Sequence, residues 1–483
     1  KTPTTNHSKI QKKQLRKKSK RKNKKVVIAE QKQKKTDLVY QLHRTICHHF
    51  PQLFEWMREI DDCRKKNSQY KLATHLMACL ALFLFKTESR NGYNQKREDQ
   101  LFRDNYERLF KQPMPHADSV HHVMELLNEA QVERLKKTMV NVLFKRKIFH
   151  KNRYRGQWFR IAVDASGSAR FNHKHCEQCC HKTSKNNKTT YFHNVLEARL
   201  VTPNGFSISL ITEWIENPDN EDYDKQDCER KAFNRLAIKL KKSYPRLPII
   251  ILADGLYPYE GFFATCQANQ WAYIVTFKEG NLKTVWSEVD ELLPLQKENR
   301  LTEIHYLPNG HKIEQHFTWV TELDYQGYSL NWLECCESVT RTEQGKNGKL
   351  QPVTKQCTFV QITDLPLDKK NIAKSSHTGR LRWLIENEGF NTLKNGGYKM
   401  EHKYARKSYR AMKNYFQFMQ MAHLINQLMI KSLYFHANYL TGKNHPTLKN
   451  IWNTLISVME WIELDDKKIE DITKEHRQFR LIS

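Results

Sequence analysis

At Trp158 the spacing of apolar residues changes period, and that change limits the possible folds more than any other feature. Upstream, Leu38, Leu42, Ile46 and Phe50 recur at helical spacing, as do Val123, Leu126 and Leu127, and then Leu135, Met139, Val142 and Leu143. Downstream, Trp158 to Val163 reads as a short strand, Tyr191 to Leu200 as a second and Phe206 to Ile215 as a third. Thr202-Pro-Asn-Gly205 joins the last two as a hairpin-type turn. A charged helix is expected over Asp227 to Tyr244, with Phe233, Leu236, Ile238 and Leu240 apolar. Pro248-Ile-Ile-Ile-Leu-Ala253 is a continuous apolar run, which suits a strand covered on both faces. A helix near Glu260–Gln270 and a strand over Trp271–Phe277 complete the series. The first three strands suit antiparallel hairpins and the later ones need crossovers, so the expected class is α/β.

The rest of the chain is read around this core. Residues 1–36 form a basic tail, with twelve Lys or Arg and no acid between Lys1 and Lys25. Like charges repel and there is little to bury, so it is expected to be disordered in isolation and to grip phosphate, with a purely solubilising tail as the alternative. Residues 37–150 read as a helical domain punctuated by Pro51, Asn91-Gly92, Pro113 and Pro115, and 151–280 as the first part of the core. Residues 281–370 read as an all-β insertion, with strands at Glu303–Tyr306, Lys312–Val320, Tyr328–Cys335 and Cys357–Ile362 and turns at Asn309-Gly310, Gln326-Gly327 and Gly345–Gly348. Residues 371–425 return to the core, and 426–483 are a helical C-terminal region.

The formal charge is +29 over 483 residues, which predicts an anionic partner, nucleic acid first and an anionic membrane surface second. The longest apolar run, Leu72 to Phe85, carries His75 and falls short of the ~20 residues of a spanning helix, so it reads as a buried helix. The polar, Lys-rich N-terminus has no signal-peptide core, and the chain starts at Lys1 rather than Met. With no secretion signal, the eleven cysteines read as reduced thiols and the location as cytoplasmic.

Two acids follow the β runs. Asp164 sits in Ala-Val-Asp-Ala-Ser-Gly and Asp254 in Ile-Leu-Ala-Asp-Gly-Leu-Tyr, both read as strand ends, where α/β sites form. Neighbouring carboxylates are hard ligands for Mg²⁺ or Mn²⁺, and two such ions ~4 Å apart can serve phosphodiester chemistry. A lone Asp there would be a turn or helix cap. Further on, Arg382 and Glu386 are four residues apart and share a helix face, as an ordinary surface ion pair also would.

The segment Gly379-Arg-Leu-Arg-Trp-Leu-Ile-Glu-Asn-Glu-Gly-Phe-Asn-Thr-Leu-Lys394 resembles the signature of the DDE transposases of bacterial insertion sequences, the insertion-sequence-four group. That signature is Tyr-x2-Arg-x3-Glu-x6-Lys. Arg382, Trp383, Ile385 and Glu386 fit, Gly379 stands at the Tyr position, and Lys394 comes one residue late. Glu388 is a rival acid out of register with Arg382. The resemblance covers about residues 155–420, and the gap of 132 positions from Asp254 to Glu386 fits an inserted β domain. It implies an RNase H-like core in which Asp164, Asp254 and Glu386 are catalytic and hold two Mg²⁺ or Mn²⁺ ions. It also implies cleavage of DNA at transposon ends and strand transfer into target DNA, by a bacterial, nucleoid-associated protein. Its partners would be terminal inverted repeats and target duplex, bound as a homodimer, with no membrane. Arg382 and Lys394 would contact backbone phosphate. Trp383 would lie in the core, or stack on a flipped base. Two other readings stay open: a domesticated DNA-binding protein that has lost catalysis, and an RNase H-like nuclease without strand transfer.

Two further clusters stand out. His173-Lys-His-Cys-Glu-Gln-Cys-Cys-His181 offers His175, Cys176, Cys179, Cys180 and His181 to a structural Zn²⁺, although the usual distant second pair is missing. A Cys/His-rich loop without metal is the alternative. Tyr398-Lys-Met-Glu-His-Lys-Tyr-Ala-Arg-Lys-Ser-Tyr-Arg410 interleaves base and aromatic, so Lys399 and Arg406 are candidate DNA contacts, on what would otherwise be a solvated helix face.

Overall fold

The computed structural model describes residues 33–64, 68–184, 186–216, 225–307, 310–344, 350–442, 445–474 and 479–482. Most of the expected basic tail, Asn309 and the turn at Gly345–Gly348 lie outside the described residues. The chain is mixed α/β and divides into two units, one made of residues 136–409 and the other of the two flanks, 1–135 and 410–483.

The 136–409 unit is built on one ten-stranded sheet. Its strands are β1 (Phe159–Phe171), β2 (Cys180–Thr183), β3 (Thr189–Val201), β4 (Ser207–Ile215), β5 (Ile249–Ala253), β6 (Ala272–Thr276), β7 (Arg300–Tyr306), β8 (Lys312–Tyr325), β9 (Tyr328–Gln344) and β10 (Leu350–Thr363). They lie in the order β2-β3-β1-β5-β6-β10-β9-β8-β7, with β4 also paired to β3. β1 with β3 and β3 with β4 are antiparallel, the latter closed by the expected turn, where Gly205 adopts φ +82° and its N–H donates to Thr202 O. β1–β5 and β5–β6 are parallel, and helices Lys225–Ser243 and Glu260–Asn269 make the two crossovers. Every residue of β5 is buried, as an unbroken Ile-Ile-Ile-Leu-Ala run on a doubly covered strand requires. Ile238, expected on the apolar face of the first crossover helix, is exposed.

The strands expected as an insertion do not close a sheet of their own. β7 to β10 form an antiparallel meander whose last strand pairs with β6, Ile362 opposite Val275, so they extend the central sheet. Near that junction the meander buries Phe317, Trp319, Leu333 and Cys335 with Leu367 and Ile372. β9 and β10 run on well past the segments Tyr328–Cys335 and Cys357–Ile362 as a largely exposed ribbon.

The flanking unit is helical. Helix Leu72–Leu84 is buried along its whole length, as its apolar run requires, and residues 411–429 are almost as deeply enclosed. Buried amides cap neighbouring helix ends: Asn414 Nδ2 donates to Met124 O and Leu127 O at 2.9 Å, and Asn105 Nδ2 to Met459 O at 3.0 Å and Ile462 O at 2.8 Å. Trp452 Nε1 donates to Leu84 O at 3.0 Å. Among the described residues no helix is long and apolar enough to cross a membrane.

Candidate active site

Asp164 does not end its strand. It is the sixth residue of β1, at the point where β1 leaves β5: parallel pairing stops at Ala162 opposite Leu252, while β1 continues against β3 to Phe171. Two residues beyond that last pair on each strand come Asp164 and Asp254. The divergence of the two strands opens the sheet at the acids, the usual location of an α/β site. Asp254 follows β5 directly, and its Oδ1 accepts the Leu256 N–H at 2.9 Å, which fixes the turn.

Glu386 reaches this place from a π-helical segment, Ile385–Asn391, which follows helix Ile372–Arg380. Such wide turns are rare and concentrate at functional sites. Arg382 is buried beside it and joins two of the three acids, its Nη1 lying 3.4 Å from Asp164 Oδ2 and 3.7 Å from Glu386 Oε1. Asp164's carboxyl is pushed up to about 7, chiefly by burial. The Arg382 charge pulls it down, and the negative charges of Glu386 and Asp254 push it further up. The arginine therefore compensates the acids only in part.

The π segment sits on the sheet because Gly389 allows it: a Cβ there would come within 3.1 Å of Arg199 Nε and Ser207 Oγ. Those atoms belong to a buried charged network. Arg199 Nη1 lies 3.3 Å from Glu197 Oε2, Thr212 Oγ1 donates to Glu197 Oε1 at 2.5 Å, and Lys136 Nζ donates to Ser209 and Thr212 hydroxyls at 2.9 Å. Glu197 is the cross-strand partner of Asp164. Gly379 is closely packed too: a side chain there would have to displace the buried Gln361 amide on β10, and this is the position of the Tyr in the resembled signature.

The other residues singled out in the sequence fall in different places. Trp383 is 51% exposed, against the expectation of a core position, with the Arg382 guanidinium 5.5 Å from its ring centroid. Its neighbour Arg382 takes the buried side of this turn, which leaves the indole in solvent. Lys394 pairs with Glu401 at 3.2 Å rather than with the three acids. Lys399 and Arg406 are exposed on an irregular segment and not on a helix, because Tyr398 and Tyr404 are buried and the Tyr404 hydroxyl donates to Tyr398 O at 2.8 Å. Two residues beside the acids carry no signal in the sequence. Lys278, exposed just after β6, lays its side chain against Gly255, next to Asp254. Tyr257 is buried with a hydroxyl that has no partner among the described residues, pushed well up by burial and by the charges of Glu229, Asp164 and Asp254.

The Cys/His loop assembles differently from the set its spacing suggests. Among the described residues, the trio of possible metal ligands whose atoms all lie within 4.8 Å of one another is Cys176, Cys179 and His193. Cys180 begins β2, where its thiol donates to Ile215 O at 3.5 Å, and His181 lies against Tyr191 on the neighbouring strand. His175 packs edge-on against Phe171 at 4.1 Å. Cys180 and His181 are held in the β2–β3 ladder opposite Phe192 and Tyr191, while His193 of β3 completes the trio. Asp164, Asp254 and Glu386 do not close into a comparable trio, with the Arg382 guanidinium held between two of them. No protein-family model matches the chain, and no functionally curated protein is significantly similar to it.

Proposed function

We propose that the protein is a DDE-type transposase, which cuts DNA at transposon ends and joins the freed ends to target DNA. The observation that carries this reading is the Arg382 guanidinium held between Asp164 and Glu386, with Asp254 on the adjoining strand. The order of three antiparallel strands followed by two parallel strands reached through helices supports an RNase H-like core, with β7 to β10 inserted between the second acid and the third. Carboxylate oxygens are the donor type that hard divalent cations take. The three carboxylates lie around Arg382 without closing into a trio, burial leaves Asp164 raised to about 7 despite that arginine, and among the described residues the buried Tyr257 hydroxyl beside them has no partner. Asp164, Asp254 and Glu386 would hold two Mg²⁺ or Mn²⁺ ions, which when bound activate the attacking oxygen and stabilise the leaving one.

The chain's own residues do the remaining work. Arg382 offsets part of the acids' mutual repulsion and fixes Asp164 and Glu386 relative to each other. Lys278 offers an exposed ammonium to backbone phosphate next to Asp254. Trp383 presents an open indole face beside the third acid, suited to stacking on an unpaired base. The +29 charge supplies the sequence-independent grip on duplex, with two protomers needed to hold two ends. On this reading the protein acts on chromosomal DNA in a bacterial cytoplasm.

The test uses DNA carrying the flanks of the gene itself. With Mg²⁺ or Mn²⁺ the protein is expected to cleave at a fixed position and to join that end to a second duplex. Asp164→Asn, Asp254→Asn and Glu386→Gln should each lower cleavage by more than roughly 100-fold with binding kept. Cleavage that survives Asp164→Asn refutes the assignment, and cleavage without joining reduces the protein to a nuclease.

A further inference from the structure

The Cys/His loop is not used by the chemistry above, and its geometry is independent of that reading. Cys176 and Cys179 lie in the irregular connection between β1 and β2, and His193 lies on β3, opposite Ala169 of β1. The two Sγ atoms are 3.4 Å apart, and His193 Nε2 is 3.5 Å from Cys176 Sγ and 3.6 Å from Cys179 Sγ. The cysteines are free thiols. A tetrahedral Zn²⁺ with bonds of about 2.3 Å to sulfur and about 2.05 Å to nitrogen has S···S edges of about 3.7 Å and S···N edges of about 3.5 Å. The three measured edges match a metal-sized hollow.

The surroundings favour a cation too. Cys179 and His193 are buried, and the His193 ring is clamped by the Tyr409 ring at 4.4 Å, which holds Nε2 facing the thiols. Nε2 is the ring atom that faces both thiols, and among the described residues its Nδ1 has no hydrogen-bond partner. The connection itself, Asn172-His-Lys-His-Cys-Glu-Gln-Cys, has almost no apolar side chain to hold it in place. A chain that cannot bury apolar surface needs another source of order, and a bound metal provides it. Two thiolates and an imidazole select Zn²⁺ over the hard cations suited to Asp164 and its neighbours.

We propose that Cys176, Cys179 and His193 hold a structural Zn²⁺, with His175 as the fourth ligand, tying the β1–β2 connection to β3. His175, its ring centroid 6.2 Å from that of His193, lies outside the trio against Phe171 and would turn from that ring to reach the metal. The metal would brace the outer half of the β1–β3 pair, the pair whose inner half carries Asp164.

The experiment uses full-length protein made without a polyhistidine tag. Elemental analysis after gel filtration should find about one zinc per chain, and replacement with Co²⁺ should give thiolate-to-cobalt charge-transfer absorption. Cys176→Ser, Cys179→Ser and His193→Asn should abolish the band, His175→Asn should weaken metal retention, and Cys180→Ser and His181→Asn should leave both unchanged. Should the ligand variants fail to fold, alkylation of the wild-type protein decides: Cys176 and Cys179 are expected to be shielded until a chelator is added. Wild-type protein with no zinc and no cobalt band, or both thiols alkylating equally fast with and without chelator, overturns the proposal. Loss of metal in Cys180→Ser with retention in Cys179→Ser overturns the ligand set. None of these readouts depends on DNA cleavage.

Discussion

Single side chains in this protein answer to burial first and charge second. Asp164 stays near 7 although an arginine touches it, because burial and two neighbouring acids outweigh that one contact. His43 shows the same priority in the helical unit. Its buried ring, near Thr473 and Cys47 and facing the charges of Lys111 and Arg44, is pushed down to about 4 by burial, with the two cations adding to the effect. The sign follows directly. Between about 6.5 and 4 the unfolded chain takes up a proton that the folded chain refuses. The stability conferred by the neutral ring is therefore complete above 6.5 and is lost as pH falls through that window, up to about 3 kcal/mol. Urea midpoints at pH 7 and pH 4.5 should show that loss in the wild type and a smaller one in His43→Gln; equal losses would refute it.

At the scale of elements, the π segment carrying Glu386 rests on a charged layer rather than an oily one. Gly389 meets Arg199 and Ser207, and Arg199 pairs with Glu197, which faces Asp164 across the β1–β3 ladder. A buried pair is not by itself a large source of stability, but removing one member strands the other's charge. Arg199→Met should therefore destabilise the protein by roughly 3–5 kcal/mol in chemical denaturation, and Arg199→Met combined with Glu197→Gln should recover much of that loss. A single-variant cost below about 1 kcal/mol would mean that the network does not support the element.

For the whole molecule, the dominant quantity is charge. Twelve of the Lys and Arg residues lie between Lys1 and Lys25, unaccompanied by any acid. Each phosphate contact adds about 0.9 to the slope of log affinity against log salt on duplex DNA. Removing residues 1–25 should therefore flatten that slope and weaken DNA binding at 50 mM salt far more than at 200 mM. An unchanged slope would make the tail a solubilising segment only.

What the sequence determined by itself was local. Apolar period placed the strands and crossover helices, since backbone geometry imposes periods of 2 and 3.6 on any buried face. The i, i+4 spacing placed Arg382 against Glu386, and the β runs placed Asp164 and Asp254 at the adjoining strands β1 and β5. The reach of β9 and β10 was not legible, because their outer halves are exposed or only half-buried and carry no burial pattern. Only the tertiary structure decided that β1 runs on past Asp164, that β10 joins the meander to β6, that Lys278 lies beside the second acid, and that His193 rather than Cys180 or His181 completes the thiol pair. It also shows Gly379 packed against the Gln361 amide, which a side chain there would have to displace. These are contacts between residues far apart along the chain, or across a strand pair whose register is set by the whole sheet. Burial writes a repeating pattern into local sequence, whereas a meeting of two distant side chains leaves no local mark on either.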